Sequence, residues 1–255
     1  MCIYFSLRLT CFLGRLMTMI SSLMEKLAEM ESILRERFER GGYKSEIITG
    51  PVSPDHVPKV SSEEQDRISS LLEEKGRITK NIWAITQTPV EEDLDLLLME
   101  GNYYYDIQNF RKAREKFEKV LRIDPENVKA LINLGVTLEV LDEWEKALKH
   151  FQRALKIFEE LRDKGGVSLC LNNMGAIFYD QGDYGDALEY FQRALKIFEE
   201  LGDKSGISEC FINTGLCYEE LGDQKRANEL YEEGAKLCEK MGLHDQAKEY
   251  RSWIE

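Results

Sequence analysis

The sequence predicts an all-α fold, a right-handed solenoid of four helix hairpins closed by a short C-terminal helix. Three observations predict it. The first is self-similarity: FQRALKIFEELRDKGG (Phe151 to Gly166) returns forty residues later as FQRALKIFEELGDKSG (Phe191 to Gly206), with two letters changed. The second is a frame of glycines, Gly101, Gly135, Gly175 and Gly215, spaced 34, 40 and 40 residues apart. The third is an apolar stripe at i, i+3, i+4 and i+7 in every half-unit, the mark of an amphipathic helix. A fixed period of this length means one supersecondary unit stacked on copies of itself. Stacked units build extended binding surfaces.

The first ninety residues lie outside the repeat frame. Residues 1–24 are apolar, with Arg8 and Arg15 embedded. No uncharged run reaches the roughly 18 residues of a membrane helix, and the pattern of a signal peptide is missing. Three readings stand: an upstream-start artefact with Met17, Met19 or Met24 as the true beginning, an amphipathic membrane-surface helix, or a segment packed on the array. Ser22-x-x-Glu25 reads as a capping box opening a helix that stops at Gly41-Gly42. Residues 43–60, with Pro51, Pro54 and Pro58, read as a linker. Ser62-x-x-Gln65 opens a second helix with Ile68, Leu71 and Leu72 on one face and a break near Gly76. These two helices suit an antiparallel hairpin or a dimerising coil, and neither carries enough heptads for a sustained coiled coil.

Thr88-Pro89-x-Glu91 supplies a cap, a first-turn proline and a box partner for the first repeat helix. Unit one then reads Leu97-x-x-Glu100-Gly101-x-x-Tyr104 and Ala113-x-x-x-Phe117. Unit two reads Leu131-x-x-Leu134-Gly135-x-x-Leu138 and Ala147-x-x-x-Phe151. Units three and four repeat this with Met174-Gly175, Ala187 and Phe191, then Thr214-Gly215, Ala227 and Tyr231. Polar turns follow at Asp142-Glu143, Gly182-Asp183 and Gly222-Asp223. A glycine inside a helix costs about 1 kcal/mol against alanine, so four at matching places imply close helix packing, with Phe117, Phe151, Phe191 and Tyr231 filling the space beside them. The organisation is 1–24, a helical region at 25–87 containing the 43–60 linker, an array at 88–246 with units at about 94–127, 128–167, 168–207 and 208–246, and a capping helix at 247–255.

These motifs resemble the tetratricopeptide repeat family over residues 89–246. The longer 40-residue units are similar to those of kinesin light chains, polarity adaptors and many prokaryotic repeat proteins. At 3.6 residues per turn they lengthen the second helix by about a turn and a half. No unit has Trp at the first conserved place, and Glu100, Thr214 and Gly234 stand where apolar residues or Ala are usual.

Charge divides unevenly. Residues 1–90 hold 12 basic and 12 acidic side chains, so the remaining 22 and 35 carry the whole net charge of −13. An acidic array repels phosphate backbones, which argues against nucleic acid, and attracts basic partner segments. The same charge also serves solubility. Cys2, Cys11, Cys170, Cys210, Cys217 and Cys238 include no Cys-x-x-Cys pair, which fits a reduced, cytoplasmic setting. Cys170 and Cys210 are one repeat apart and read as small packing residues. His56, His150 and His244 have no ligand at metal spacing, so no metal and no cofactor are expected. No phosphate loop, dinucleotide fingerprint or zincin motif occurs, and no catalytic residue is assigned.

Asn133, Asn173 and Asn213 each stand two residues before a frame glycine. The family resemblance implies that this place faces the concave groove. An asparagine side chain offers both an acceptor and a donor, so it pairs with an extended peptide backbone whatever its sequence. The competing reading is local satisfaction copied with the repeat. Asn102, Tyr105, Asp106, Glu139, Asn172, Tyr179, Asp180, Glu219 and Glu220 are expected to line or edge the same groove, and acid with Tyr suits Lys- or Arg-bearing peptides. The family's chaperone-tail clamp is matched at Asn102 and Asn133 but has Leu98 and Leu169 where it needs lysines, so no chaperone-tail binding is expected. The reading is a non-catalytic adaptor for an extended, basic peptide. A self-assembling protein whose groove holds its own N-terminus, or a regulator that sequesters a signalling enzyme, are the alternatives.

Overall fold

The computed structural model describes residues 2–45, 47–48, 59–88 and 90–254, with side chains from residue 16 onward. Among the described residues every regular element is a helix. The chain divides into two compact units, Met1–Glu46 with Val52–Val120, and Ile47–Pro51 with Leu121–Glu255.

Unit 1 contains α1 (Cys2–Arg40), α2 (Ser62–Thr86), α3 (Leu94–Asp106) and most of α4 (Phe110–Ile123). Helix α1 is continuous, so Ser22 does not start it. The physical reason is that Cys2–Arg40 holds no proline and only one glycine, Gly14. It ends as expected at Gly41-Gly42, where Gly42 takes φ 79°. Helix α2 is capped by Ser61 rather than Ser62: its hydroxyl accepts the Glu64 N–H at 3.3 Å. It runs unbroken past Gly76, which faces open space.

Helix α3 starts later than the Thr88-Pro89 pattern suggests, because Asp93 accepts the Leu96 N–H at 3.0 Å beside the apolar run. Pro89 itself lies outside the described residues.

The two N-terminal helices form an antiparallel hairpin. Leu27 packs with Ile78 and Ile82, Glu31 meets Lys75 at 3.3 Å, and Arg37 meets Glu64 at 2.6 Å, so rising numbers on α1 meet falling numbers on α2. This hairpin is fastened to the first repeat. Phe38 packs on Tyr43 and Tyr103 with ring centroids 6.1 and 5.7 Å away. Glu100, fully buried, takes Lys75 at 2.8 Å and Lys116 on its other oxygen. Burial alone would raise the Glu100 carboxyl, but the Lys116 and Lys75 ammonium groups outweigh it and hold it below its ordinary value.

Unit 2 contains the hairpins α5 (Val128–Val140) with α6 (Trp144–Leu161), α7 (Lys164–Asp180) with α8 (Tyr184–Leu201), and α9 (Lys204–Glu220) with α10 (Gln224–Lys240), then α11 (His244–Ser252). Each helix packs on the next, and the first helices α5, α7 and α9 also touch in succession. The frame glycines do what the pattern requires. A Cβ on Gly135 would lie 2.6 Å from Phe151, on Gly175 2.7 Å from Phe191, and on Gly215 2.6 Å from Tyr231. In unit 1 a Cβ on Gly101 would reach 2.3 Å from Phe117.

A second set escapes the frame reading: Gly166 against Phe158 and Gly206 against Phe198, at 2.3 and 2.4 Å. These fasten the end of one hairpin to the start of the next. The extra residues of the 40-residue spacing are correspondingly shared. Helices α6 and α8 have 18 residues against 14 in α4, and α7 and α9 have 17 against 13 in α3 and α5.

The turns inside hairpins share one device. After α7, Gly182 takes φ 81°, its N–H reaches the Tyr179 carbonyl at 2.9 Å, and Asp183 N–H reaches Phe178 at 2.8 Å. This pair of bonds closes the helix end, and the Asp183 carbonyl then accepts from Ala187 to begin α8. The capping helix α11 opens at His244, three residues before the place the repeat spacing suggests. Trp253 packs edge-on to Tyr231 at 5.5 Å, and Arg251 holds Glu232 at 3.0 Å and Glu239 at 2.5 Å. Cys170, Cys210, Cys217 and Cys238 are free and buried, and burial pushes the Cys170 thiol up to about 12, as befits packing residues. No helix among the described residues is long and apolar enough to cross a membrane.

Candidate functional site

The frame glycine fixes the direction of every other residue on a first helix. Gly135 and its equivalents face the second helix of their own hairpin. A residue two places earlier is turned about 200° from that direction. Asn133, Asn173 and Asn213 therefore point away from the hairpin partner, toward the face that α5, α7 and α9 share. Residues four places after the glycine return to within about 40° of it. Glu139, Tyr179 and Glu219 therefore lie at the turn end of each hairpin, beside the second helix, rather than along the middle of the shared face.

The three ladder asparagines behave differently from one another. Asn133 is fully buried, and its Oδ1 accepts the backbone N–H of Ile48 at 2.7 Å. Ile48 belongs to the part of the linker that clusters with unit 2. Asn173 turns its amide back to the Leu169 carbonyl at 3.0 Å, one helical turn earlier. Among the described residues its Oδ1 has no donor. Asn213 donates to Asn172 Oδ1 at 3.2 Å. Asn172 is buried and also donates to Glu209 at 2.8 Å, so it ties α7 to α9 instead of presenting its amide to the shared face.

The turn-end residues form a second group. Tyr179 packs on Tyr184 with centroids 5.5 Å apart. Glu219 is exposed and accepts the Tyr231 hydroxyl at 2.6 Å. Glu139 is only 6% exposed and, among the described residues, its carboxyl has no hydrogen bond or ion pair. Burial, and after it the charge of Asp180, raise its carboxyl to about 8. Burial and then Asp142 raise Asp180 in turn.

In unit 1, Asn102 donates to the Lys44 carbonyl at 2.8 Å. Tyr105 is buried, edge-on to Phe110 at 5.4 Å. Asp106 gathers both ends of the linker: it accepts the Tyr43 hydroxyl, and the Lys59 N–H at 2.9 Å. No local motif announces that role; the one available signal was a carboxylate at an otherwise apolar helix end.

The family described as Tetratricopeptide repeat matches residues 127–200 and 167–240, and a further form of it matches residues 95–127. The TPR repeat-containing protein MJ1428 of Methanocaldococcus jannaschii is 30% identical over 64 residues, 25% of this chain. The match spans 11% of that relative's length. Among solved structures, the apo form of RapI is similar with a TM-score of 0.62 at 16% identity, covering 85% of this chain and 74% of that one. The Rap conjugation gene regulator of plasmid pLS20, in complex with the Phr* peptide, is similar with a TM-score of 0.54 at 14% identity, covering 89% and 73%. At such identities the likeness concerns the fold.

Proposed function

This chain belongs to the tetratricopeptide repeat family, and from that premise we propose that it is a non-catalytic interaction module holding an extended peptide segment on the face shared by α5, α7 and α9. The observation that carries this reading is the bond from Ile48 N–H to Asn133 Oδ1. A ladder asparagine already receives a main-chain N–H from a segment outside the helices, which is the contact a peptide ligand would make. Asn173 and Asn213 keep their side-chain carbonyls available for the same purpose. The array's acidity favours a segment bearing lysine or arginine, mainly through faster encounter. A protein of similar fold, the pLS20 regulator, is known with a peptide bound, which agrees with the reading without carrying it.

The test compares capture of partners from source-cell lysate by the wild type and by the Asn133→Ala, Asn173→Ala, Asn213→Ala variant, both checked by circular dichroism. A partner lost by an equally folded variant supports the groove reading; an unchanged set of partners sinks it. The Ile48 contact also favours a second reading, in which the chain's own linker is the resident occupant. Ile48→Pro removes the donor. Stronger capture by that variant would indicate a linker that competes with the partner, and unchanged capture a linker that does not.

A further inference from the structure

The repeats copy each other closely where they pack and differ where they meet the shared face. Phe151 to Leu161 of α6 and Phe191 to Leu201 of α8 read the same eleven letters. The first helices are less faithful. Six residues before each frame glycine, one turn ahead of the ladder asparagine, stand Lys129 in α5, Leu169 in α7 and Glu209 in α9. Four residues turn a helix by about 400°, so each lies within about 40° of its asparagine and on the same face. One row of equivalent places is therefore basic, apolar and acidic in turn.

The row is reachable from outside. Lys129 and Leu169 are partly exposed and Glu209 is exposed. Among the described residues neither Lys129 nor Glu209 has an ion pair. Glu209 is also held in position. Its Oε1 accepts the Asn172 amide at 2.8 Å, and Asn172 Oδ1 accepts the Asn213 amide at 3.2 Å. Asn172 is only 3% exposed, and its equivalents in α5 and α9 are Ile132 and Ile212. A buried amide is costly unless it is bonded. The third repeat thus carries a polar residue at an otherwise apolar place, and its bonds go to Glu209 and Asn213. Glu209 Oε2 has no partner among the described residues.

Spacing adds a register. Helices α5, α7 and α9 touch in succession. Packed helices stand about 8–10 Å apart, and an extended chain rises about 3.3 Å per residue. Neighbouring places in the row are therefore about three residues apart on a peptide laid across them.

We propose that Lys129, Leu169 and Glu209 read the charge order of the bound peptide: a carboxylate over α5, an apolar side chain over α7, and a lysine or arginine over α9, each about three residues from the next. The proposal rests on the groove reading and replaces general basicity of the partner with one cation at a fixed place, opposite Glu209.

The experiment uses two phage-displayed libraries, Asp-x-x-Leu-x-x-Lys and Lys-x-x-Leu-x-x-Asp, with uncharged residues at x. Both are selected on the full chain and on the charge-exchanged Lys129→Glu, Glu209→Lys variant, and enriched peptides are resynthesised for calorimetry. Whichever way the peptide runs, the wild type should favour one order by about tenfold in affinity, and the exchanged variant the other. Equal affinity of the wild type for both orders, or a preference that survives the exchange, overturns the charge reading and leaves the groove reading standing. So does an unbiased library whose binders are lost by the Asn173→Ala, Asn213→Ala variant when neither charged library is enriched. No binder from any library overturns both. Thermal melts check folding. Should the exchanged variant fail to fold, Glu209→Gln keeps an acceptor for Asn172 and removes the charge. That variant must then lose the preference for lysine over acetyl-lysine at the cationic end; a preference that remains would make Glu209 a brace between α7 and α9 and nothing more.

Discussion

The ammonium of Lys75 lies 2.8 Å from the carboxylate of Glu100, a side chain with no exposed surface. Lys75 comes from the N-terminal hairpin and Glu100 from the first repeat helix, so this contact joins the two within unit 1. Removing one member of a buried pair leaves a charge without compensation and costs about 3–5 kcal/mol. Lys116 remains on the other oxygen, which places Lys75→Met at the lower end, about 3 kcal/mol. The urea midpoint of the variant checks this. A midpoint equal to the wild type's would show that the hairpin is not fastened through Glu100.

The same carboxylate gives a pH dependence with a defined sign. Its folded-state value is depressed, so the unfolded chain binds its proton more readily. The stability it contributes is present above the unfolded glutamate value and is lost as the pH falls through the folded one. Acid titration of the wild type should therefore show an extra loss of stability that is missing from the Glu100→Gln variant.

Glycines of two kinds separate packing from propensity. Alanine at Gly76 of α2 meets nothing and should stabilise by about 1 kcal/mol, the helix-propensity difference. Alanine at Gly175 gains the same propensity, but its Cβ would stand 2.7 Å from the fully packed Phe191 ring. Overpacking of this kind costs about 1–3 kcal/mol, so the net change is a loss. Adding Phe191→Leu should recover part of it. Thermal melts of the three variants decide the matter, and a stabilised Gly175→Ala would contradict the close approach.

The repeat was legible because period and small-residue placement are local properties of the chain. Gly135 with Phe151 and Gly175 with Phe191 appear in the sequence at fixed offsets and pack as those offsets imply. The N-terminal boundaries were less legible, since Ser22 and Thr88 offer capping chemistry that neighbouring residues supersede. Continuous helix-forming sequence carries α1 through Ser22, and Asp93 stands nearer the apolar run than Thr88. Contacts between distant stretches were not legible at all. Lys75 and Glu100 are 25 residues apart, and Tyr43 and Asp106 are 63 apart, with no pattern linking them. At the candidate site, the sequence marks out Asn133, Asn173 and Asn213 as a class. Their different partners depend on which neighbour approaches each one: Ile48 for Asn133, Leu169 for Asn173 and Asn172 for Asn213.

Replacing Asn133 by alanine takes away the acceptor for Ile48 N–H and leaves that amide to water. A typical hydrogen bond contributes about 1 kcal/mol, so the exchange rate of this amide should rise by about fivefold in hydrogen-exchange mass spectrometry. Exchange at α7 and α9 should stay as in the wild type. Unchanged protection of the segment around Ile48 would mean that something other than Asn133 holds it.

Glu139 provides the reverse of the Glu100 case. Its folded-state carboxyl is raised to about 8, above the unfolded value, by burial first and Asp180 second. Between the two values the folded chain binds more protons than the unfolded one, so stability falls as the pH rises from the unfolded glutamate value toward 8. The charge of Asp180 from α7, which acts on Glu139 across this range, is acidic and reinforces the direction. Glutamine keeps the shape and removes the charge. Glu139→Gln should therefore melt several degrees above the wild type at neutral pH, about 3 °C for each kcal/mol recovered in a chain of this size. Below the unfolded glutamate value the two proteins should melt alike. A variant that melts lower at neutral pH would show that the charged form of Glu139 is satisfied within the folded chain.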